Sequence, residues 1–256
     1  MTKDESRGTA LVTGGARRIG RAIVRELAAN GWTVVIHCNR SVDDAETEAN
    51  QIREAGGKAH VVRADLQDQG AAATILADAT GIAGPVTLLV NNASVFLEDA
   101  MGSLDHDLWR RQFAINLEAP VFLSQEFAAR LPGDTNGAIV NMIDQRVWKL
   151  TPQMMSYTLA KSALWTATQT MAQTLAPRIR VNGIAPGPTF ANPRDGDAGL
   201  EREAAGTLLE KRIDPAEIAA AVRYLAESPS ITGQLLAVDG GQHLAWRTPD
   251  IVDPQA

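Results

Sequence analysis

Three side chains in one short stretch could move a proton. Tyr157 and Lys161 stand four residues apart, and Asp144 lies thirteen residues before the tyrosine. A Tyr-x-x-x-Lys spacing places both side chains on one helical face, a turn apart. A phenol titrates near pH ~10, so proton exchange near pH ~7 needs roughly 4 kcal/mol in favour of the phenolate. An ammonium ~4 Å away supplies about that much at an effective dielectric near 20. Lys161 therefore has the right magnitude to tune Tyr157 downward. Asp144 opposes it, because a carboxylate beside a phenol raises the phenol's pKa. Nor can a carboxylate donate a hydrogen bond to a carbonyl. It suits a partner that presents N–H groups, or one that needs a proton relayed to a ring nitrogen.

These residues need a rigid frame, and the chain supplies a regular one. Short apolar runs alternate with amphipathic stretches. Strands are predicted at 9–13, 32–38, 58–66, 86–94, 137–143, 178–187 and 233–241. Helices are predicted at 17–31, 41–57, 69–84, 104–131, 154–176 and 215–228, the second capped by Ser41. Such alternation implies a seven-stranded parallel sheet with helices on both faces, a Rossmann-like doubly wound α/β fold. No interior linker interrupts it, so one domain is expected over 1–256, with its core at about 8–247. The stretch 188–214, rich in Gly, Pro and acids, breaks the rhythm and reads as a binding loop. The tail 248–256 reads as frayed.

The bulk numbers exclude other classes. The chain has 256 residues, 45% of them hydrophobic and 21% charged, which is ordinary for a globular protein. A net charge of −6 offers no basic field for nucleic acid. The single cysteine, Cys38, precludes an internal disulfide. No run approaches the ~20 apolar residues of a membrane span, and the N-terminal octet lacks the apolar core of a signal peptide. A cytoplasmic protein without a bound metal is expected.

Between the first strand and first helix lies "TGGARRIG", residues 13–20. Glycines there let the backbone approach a pyrophosphate, and the helix N-terminus offers free N–H groups. In this fold an acid about 20 residues past the glycines holds the ribose 2′-hydroxyl of NAD. The sequence there is "HCNRS", residues 37–41, which brings Arg40 and Ser41 instead of an acid. A guanidinium binds a 2′-phosphate that a carboxylate would repel. NADPH is therefore expected, with Arg17, Arg40 and Ser41 on the phosphate. Asp43 and Asp44 follow closely, and either one swinging back to the ribose would count against that choice.

The glycine loop resembles the Thr-Gly-x-x-x-Gly-x-Gly fingerprint of the short-chain dehydrogenase/reductase family, departing from it at Arg18. "ADL" (64–66), "NNAS" (91–94), the Asn of "FAINLEAP", Tyr157 with Lys161, and "PGP" (186–188) follow in the family's order. The resemblance implies cofactor contacts from Gly14, Ile19, Gly20, His37, Asn39, Asp65, Leu66, Asn92, Ala93, Ser94, Tyr157, Lys161, Pro186 and Gly187. It implies that Asn116 connects Lys161 to a water chain. It also implies a homotetramer built through the long helices and the C-terminal strand.

Most of the family carries serine where Asp144 stands. The chain resembles one branch, the pteridine and dihydromonapterin reductases, at several departures together: Arg18, "HCNRS", "NNAS" and Asp144. That branch also places an aromatic two residues beyond the serine, here Phe96. The resemblance implies a flat pterin stacked between nicotinamide and Phe96, with Arg17, Ser94, Asp144 and Tyr157 around it. Two alternatives stay open: a carbonyl reductase of a sugar, keto ester or acyl substrate, and a non-catalytic dinucleotide-binding protein.

Overall fold

The computed structural model describes residues 7–192 and 195–247; the predicted frayed tail and the first six residues lie outside them. Seven parallel strands form one sheet in the order β3-β2-β1-β4-β5-β6-β7. They are β1 (Thr9–Val12), β2 (Thr33–Cys38), β3 (Lys58–Arg63), β4 (Val86–Asn91), β5 (Gly137–Met142), β6 (Ile179–Pro186) and β7 (Leu235–Val238). The interior strands are continuous apolar runs because both faces of the sheet are covered. Successive residues then feed opposite layers. Ala10, Val12, Val34 and Ile36 pack under α1 (Arg18–Ala29), α2 (Val42–Glu54) and α8 (Pro215–Glu227). Leu11, Val35, Leu89 and Ile139 pack under α3 (Ala71–Ala83), α5 (Ala119–Arg130) and α6 (Met155–Leu175).

The predicted elements are all present, with shorter bounds and three differences. The span 104–131 is not one regular helix. It divides into α4 (His106–Phe113), a π-helical segment (Ala114–Glu118) and α5. Pro120 at the start of α5 lacks the N–H that would continue the α ladder. The stretch 188–214 is not irregular throughout, since α7 (Gly196–Ala205) occupies its middle and buries Leu200 and Ala204. Residues 193 and 194 of that stretch lie outside the described residues. Ser41 precedes α2 as expected but makes no side-chain capping bond. Among the described residues no helix is long and apolar enough to cross a membrane.

The strand order switches between β1 and β4: β1 to β3 run outward on one side and β4 to β7 on the other, all strands staying parallel. A doubly wound sheet opens a crevice there, outside the carboxyl ends of its strands. Tyr157 and Lys161 ride α6, whose first turns lie beside β5 and β6, so the proton-handling group faces that crevice.

Candidate active site

A cavity of about 810 Å³ lies at this switch point, with Gly14, His37, Asn92, Asp144, Tyr157 and Pro186 in its wall. The glycine loop forms one end. Gly14 has φ +62°, and a Cβ there would stand 3.0 Å from Ala93 Cα. A Cβ on Gly20 would stand 2.2 Å from the Gly14 carbonyl oxygen, so both positions exclude a side chain. Arg18 adopts φ +52° where a glycine would be at ease. It compensates by laying its guanidinium 5.1 Å from the Phe190 ring centre and donating to the Phe190 carbonyl at 3.3 Å. Arg17 gives α1 no side-chain cap, which leaves the first-turn N–H groups directed at the crevice.

His37 supports the loop from below. The Gly14 N–H donates to its Nδ1 at 3.3 Å, which makes Nε2 the protonated nitrogen, 3.2 Å from the Ala64 carbonyl. Burial pushes the imidazole pKa down to about 4, so the ring is a neutral strut. Asn92 is used the same way: its amide donates to the Thr13 and Gly14 carbonyls at 2.8 and 3.1 Å. Thr13 Oγ1 accepts the Asn92 and Ala93 N–H groups, tying β1 to the end of β4.

Beyond the ends of β2 and β3 Asn39, Arg40, Asp65 and Leu66 line the cavity, as do Ile19 and Gly20 nearer the loop. Arg40 is exposed and makes no ion pair or hydrogen bond among the described residues. The Asp65 carboxyl is held below its ordinary range, first by the Gln67 N–H, with Asn39 and the Arg40 charge adding to the effect. Arg17 lines the cavity and pairs with Asp44, to which its Nε donates at 2.6 Å. Ser41 lies outside the cavity wall.

The proton-handling end holds the largest correction. The Tyr157 hydroxyl donates to Asp144 Oδ2 at 2.9 Å. Burial first, and Asp144 second, raise the phenol's pKa well above its ordinary value. Lys161 does not pull it down, since the ammonium is 5.7 Å from the ring centre and donates to the Met142 carbonyl at 2.7 Å. Burial lowers Lys161 itself to about 8. The nearer carboxylate therefore outweighs the more distant ammonium.

Sequence reasoning missed Arg146. Its backbone N–H donates to Asp144 Oδ1 at 2.8 Å, its Nη1 lies 3.5 Å from both Asp144 oxygens, and its guanidinium lies 5.1 Å from the Phe96 ring centre. The Arg146 charge lowers the phenol's pKa in opposition to Asp144. A cation two residues beyond an active-site acid was the available signal. Phe96 meets Tyr157 edge-on, with centroids 4.8 Å apart and planes at 79°.

Asn116 does not reach Lys161 or the cavity wall. Buried in the π-helical segment, it accepts from Ser94 Oγ at 2.8 Å and from the Val95 N–H at 3.2 Å. It donates to the Val95 carbonyl at 2.8 Å and to Gln112 at 3.1 Å. These four bonds use the amide fully, so it fixes the segment carrying Ser94 and Phe96. Gln112, one helical turn earlier, adds a bond to the Leu97 carbonyl at 2.8 Å. Pro186 and Gly187 line the cavity as expected, and a Cβ on Gly187 would meet Asp239 Cα at 2.6 Å.

The family model described as short chain dehydrogenase matches residues 8–195. The fold superposes on FolM alternative dihydrofolate reductase 1 from Brucella suis, solved in complex with NADP. That match has a TM-score of 0.93 and 54% identity, covering 96% of this chain and 99% of the other. The Brucella canis counterpart, also complexed with NADP, matches at TM-score 0.93 and 52% identity over 98% of this chain and 100% of that one. Among curated relatives, an uncharacterized oxidoreductase of Methylorubrum extorquens is 34% identical over 94% of this chain and 99% of its own length.

Proposed function

The chain belongs to the short-chain dehydrogenase family, and on that premise we propose that it is an NADPH-dependent reductase of pterins. Its residues fit that cofactor. Gly14 and Gly20 leave a cradle that no Cβ could share, the uncapped α1 N-terminus suits a pyrophosphate, and Arg40 suits a 2′-phosphate. Arg17 would join Arg40 by exchanging Asp44 for the phosphate. Both members of that pair are largely exposed, so the exchange costs ~1 kcal/mol or less. The Brucella neighbours solved with NADP support the choice.

One observation carries the substrate class: the Asp144 carboxylate accepts a hydrogen bond from the Tyr157 hydroxyl at 2.9 Å. Burial and that carboxylate raise the phenol's pKa, so it holds its proton. A substrate C=N bond needs a hydride on carbon and a proton on nitrogen. NADPH supplies the hydride when bound. The Tyr157–Asp144 pair supplies the proton and is left with an additional negative charge. Lys161 and Arg146 are the two cations placed to offset that charge. Phe96 and Ser94 line the wall against which a flat heterocycle would rest, an offset stack being worth ~1 kcal/mol beyond burial. Reduction of a 7,8-dihydropterin to its tetrahydro form is the narrower reading. The dihydrofolate reductase activity named for the Brucella neighbours supports it.

The proposal extends to a cytoplasmic homotetramer. Phe122 on α5 and Leu159 on α6 are exposed at 54% and 42%, and Leu236 on β7 at 36%, the elements expected to meet other copies.

Steady-state assays with NADPH against dihydropterins and against a panel of ketones test the activity. Dihydropterin turnover that falls at least ~100-fold in Asp144→Ser is expected, as for loss of a group acting in proton transfer. Ketone turnover without dihydropterin turnover, or an unimpaired serine variant, refutes the reading.

A further inference from the structure

The helix that carries Tyr157 lacks a cap of its own. Met154, the residue before it, is in the left-handed region at φ +58° and makes no side-chain capping bond. A helix N-terminus normally takes its cap from the preceding Ser, Thr, Asp or Asn. Here the acceptors come from Asp99, 57 residues earlier in sequence. The Ser156 N–H donates to Asp99 Oδ1 and Oδ2 at 3.1 and 3.3 Å, and the Met155 N–H donates to the Asp99 carbonyl at 3.4 Å. Asp99 is 3% exposed.

A cap taken from so far along the chain ties two segments together as well as ending a helix. Asp99 belongs to the irregular stretch 92–105, which also carries Ser94 and Phe96. That stretch is anchored at its start by Asn116 on Ser94 and Val95, and in its middle by Gln112 on Leu97. Asp99 is the third anchor, and the one that reaches α6. It joins the wall bearing Phe96 to the first turn bearing Tyr157, whose rings meet at 4.8 Å.

We propose that Asp99 is a positioning residue that latches the Phe96 wall to the first turn of α6 and so sets where the Tyr157 hydroxyl meets the substrate. The inference rests on Tyr157 being the proton donor of the proposed reaction. It does not depend on which substrate receives the proton. Asp99 lies outside the wall of the cofactor cavity, so cofactor binding is left alone. The latch needs an acceptor oxygen, so asparagine recovers most of it.

The test measures Asp99→Ala and Asp99→Asn with whichever substrate the wild type reduces, dihydropterin or ketone. In Asp99→Ala, kcat/KM for that substrate falls on the order of 10- to 100-fold, as for a misplacement near 1 Å. NADPH affinity, read by fluorescence titration, stays within about twofold of wild type, since its contacts are untouched. Asp99→Asn recovers most of the lost kcat/KM. Unchanged kinetics in folded Asp99→Ala overturn the latch, and so does equal weakening of NADPH and substrate. If Asp99→Ala does not fold, folded Asp99→Asn decides: activity within about fivefold of wild type sustains the latch, and a larger loss overturns it. A wild type inactive on dihydropterins but active on ketones refutes the pterin reading and leaves this inference to be judged by the variants.

Discussion

At the proposed catalytic group one carboxylate and one guanidinium act on one phenol in opposite directions. Asp144 is in direct hydrogen-bond contact at 2.9 Å and raises the phenol's pKa with burial, whereas the Arg146 charge lowers it. The phenol is therefore held protonated, and in the proposed reaction Lys161 and Arg146 matter most after the proton has gone. Lys161 carries a stability cost for this role. Its pKa is lowered to about 8 by burial, whereas an unfolded lysine keeps 10.5. Between these values the unfolded chain holds more protons than the folded one, so stability rises as pH climbs through that window. At neutral pH the buried charge costs about 3 kcal/mol. Lys161→Met is expected to unfold at higher urea concentration than wild type at pH 7, by on the order of 1–3 kcal/mol, while losing nearly all turnover. The stability gain should shrink as pH rises above about 8. A methionine variant less stable than wild type at pH 7 would contradict this account.

At the scale of elements, the cofactor end is held by neutral struts. The glycine loop has no internal hydrogen-bond ladder, so it borrows partners: His37 from β2, and Asn92 and the Thr13 bridge at the end of β4. His37 can do this only while its Nδ1 is unprotonated. Its folded pKa of about 4 lies below the ordinary 6.5. The stability it contributes is fully present above 6.5 and is lost as pH falls toward 4, up to about 3 kcal/mol. His37→Gln keeps a donor and an acceptor but does not titrate. Urea unfolding between pH 7 and 4 should therefore show a shallower loss of stability in the variant than in the wild type. Parallel slopes would show that the ring does not carry the acid sensitivity. The π-helical segment serves an element-scale purpose as well. By turning Asn116 toward Ser94 and Val95, it fixes the irregular stretch that no regular ladder could hold.

At the scale of the whole molecule, the proposed assembly would use the exposed apolar side chains of α5, α6 and β7. Phe122 and Leu159 are the residues to change, to Glu and Lys respectively. Light scattering should read a tetramer for the wild type and a smaller species for the double variant; a monomeric wild type would dispose of the assembly proposal. The sequence alone determined the seven-stranded order of elements, because apolar period and glycine-rich turns are local properties of the chain. It also determined the helical face shared by Tyr157 and Lys161, which follows from their spacing. It singled out Gly14, Gly20 and Arg40, all of which line the cavity, since the strand–turn–helix context assigns their position in this fold. Only the tertiary structure decided which groups meet. Arg17 is taken by Asp44 from the next helix, Asn116 serves the end of β4 instead of Lys161, and Asp99 reaches α6 from 57 residues away. Arg146 sits between Asp144 and Phe96 because the turn after β5 bends it there. Electrostatic coupling depends on distances and burial between segments far apart in sequence. That is why spacing could name the phenol, amine and acid but could not say which neighbour controls the proton.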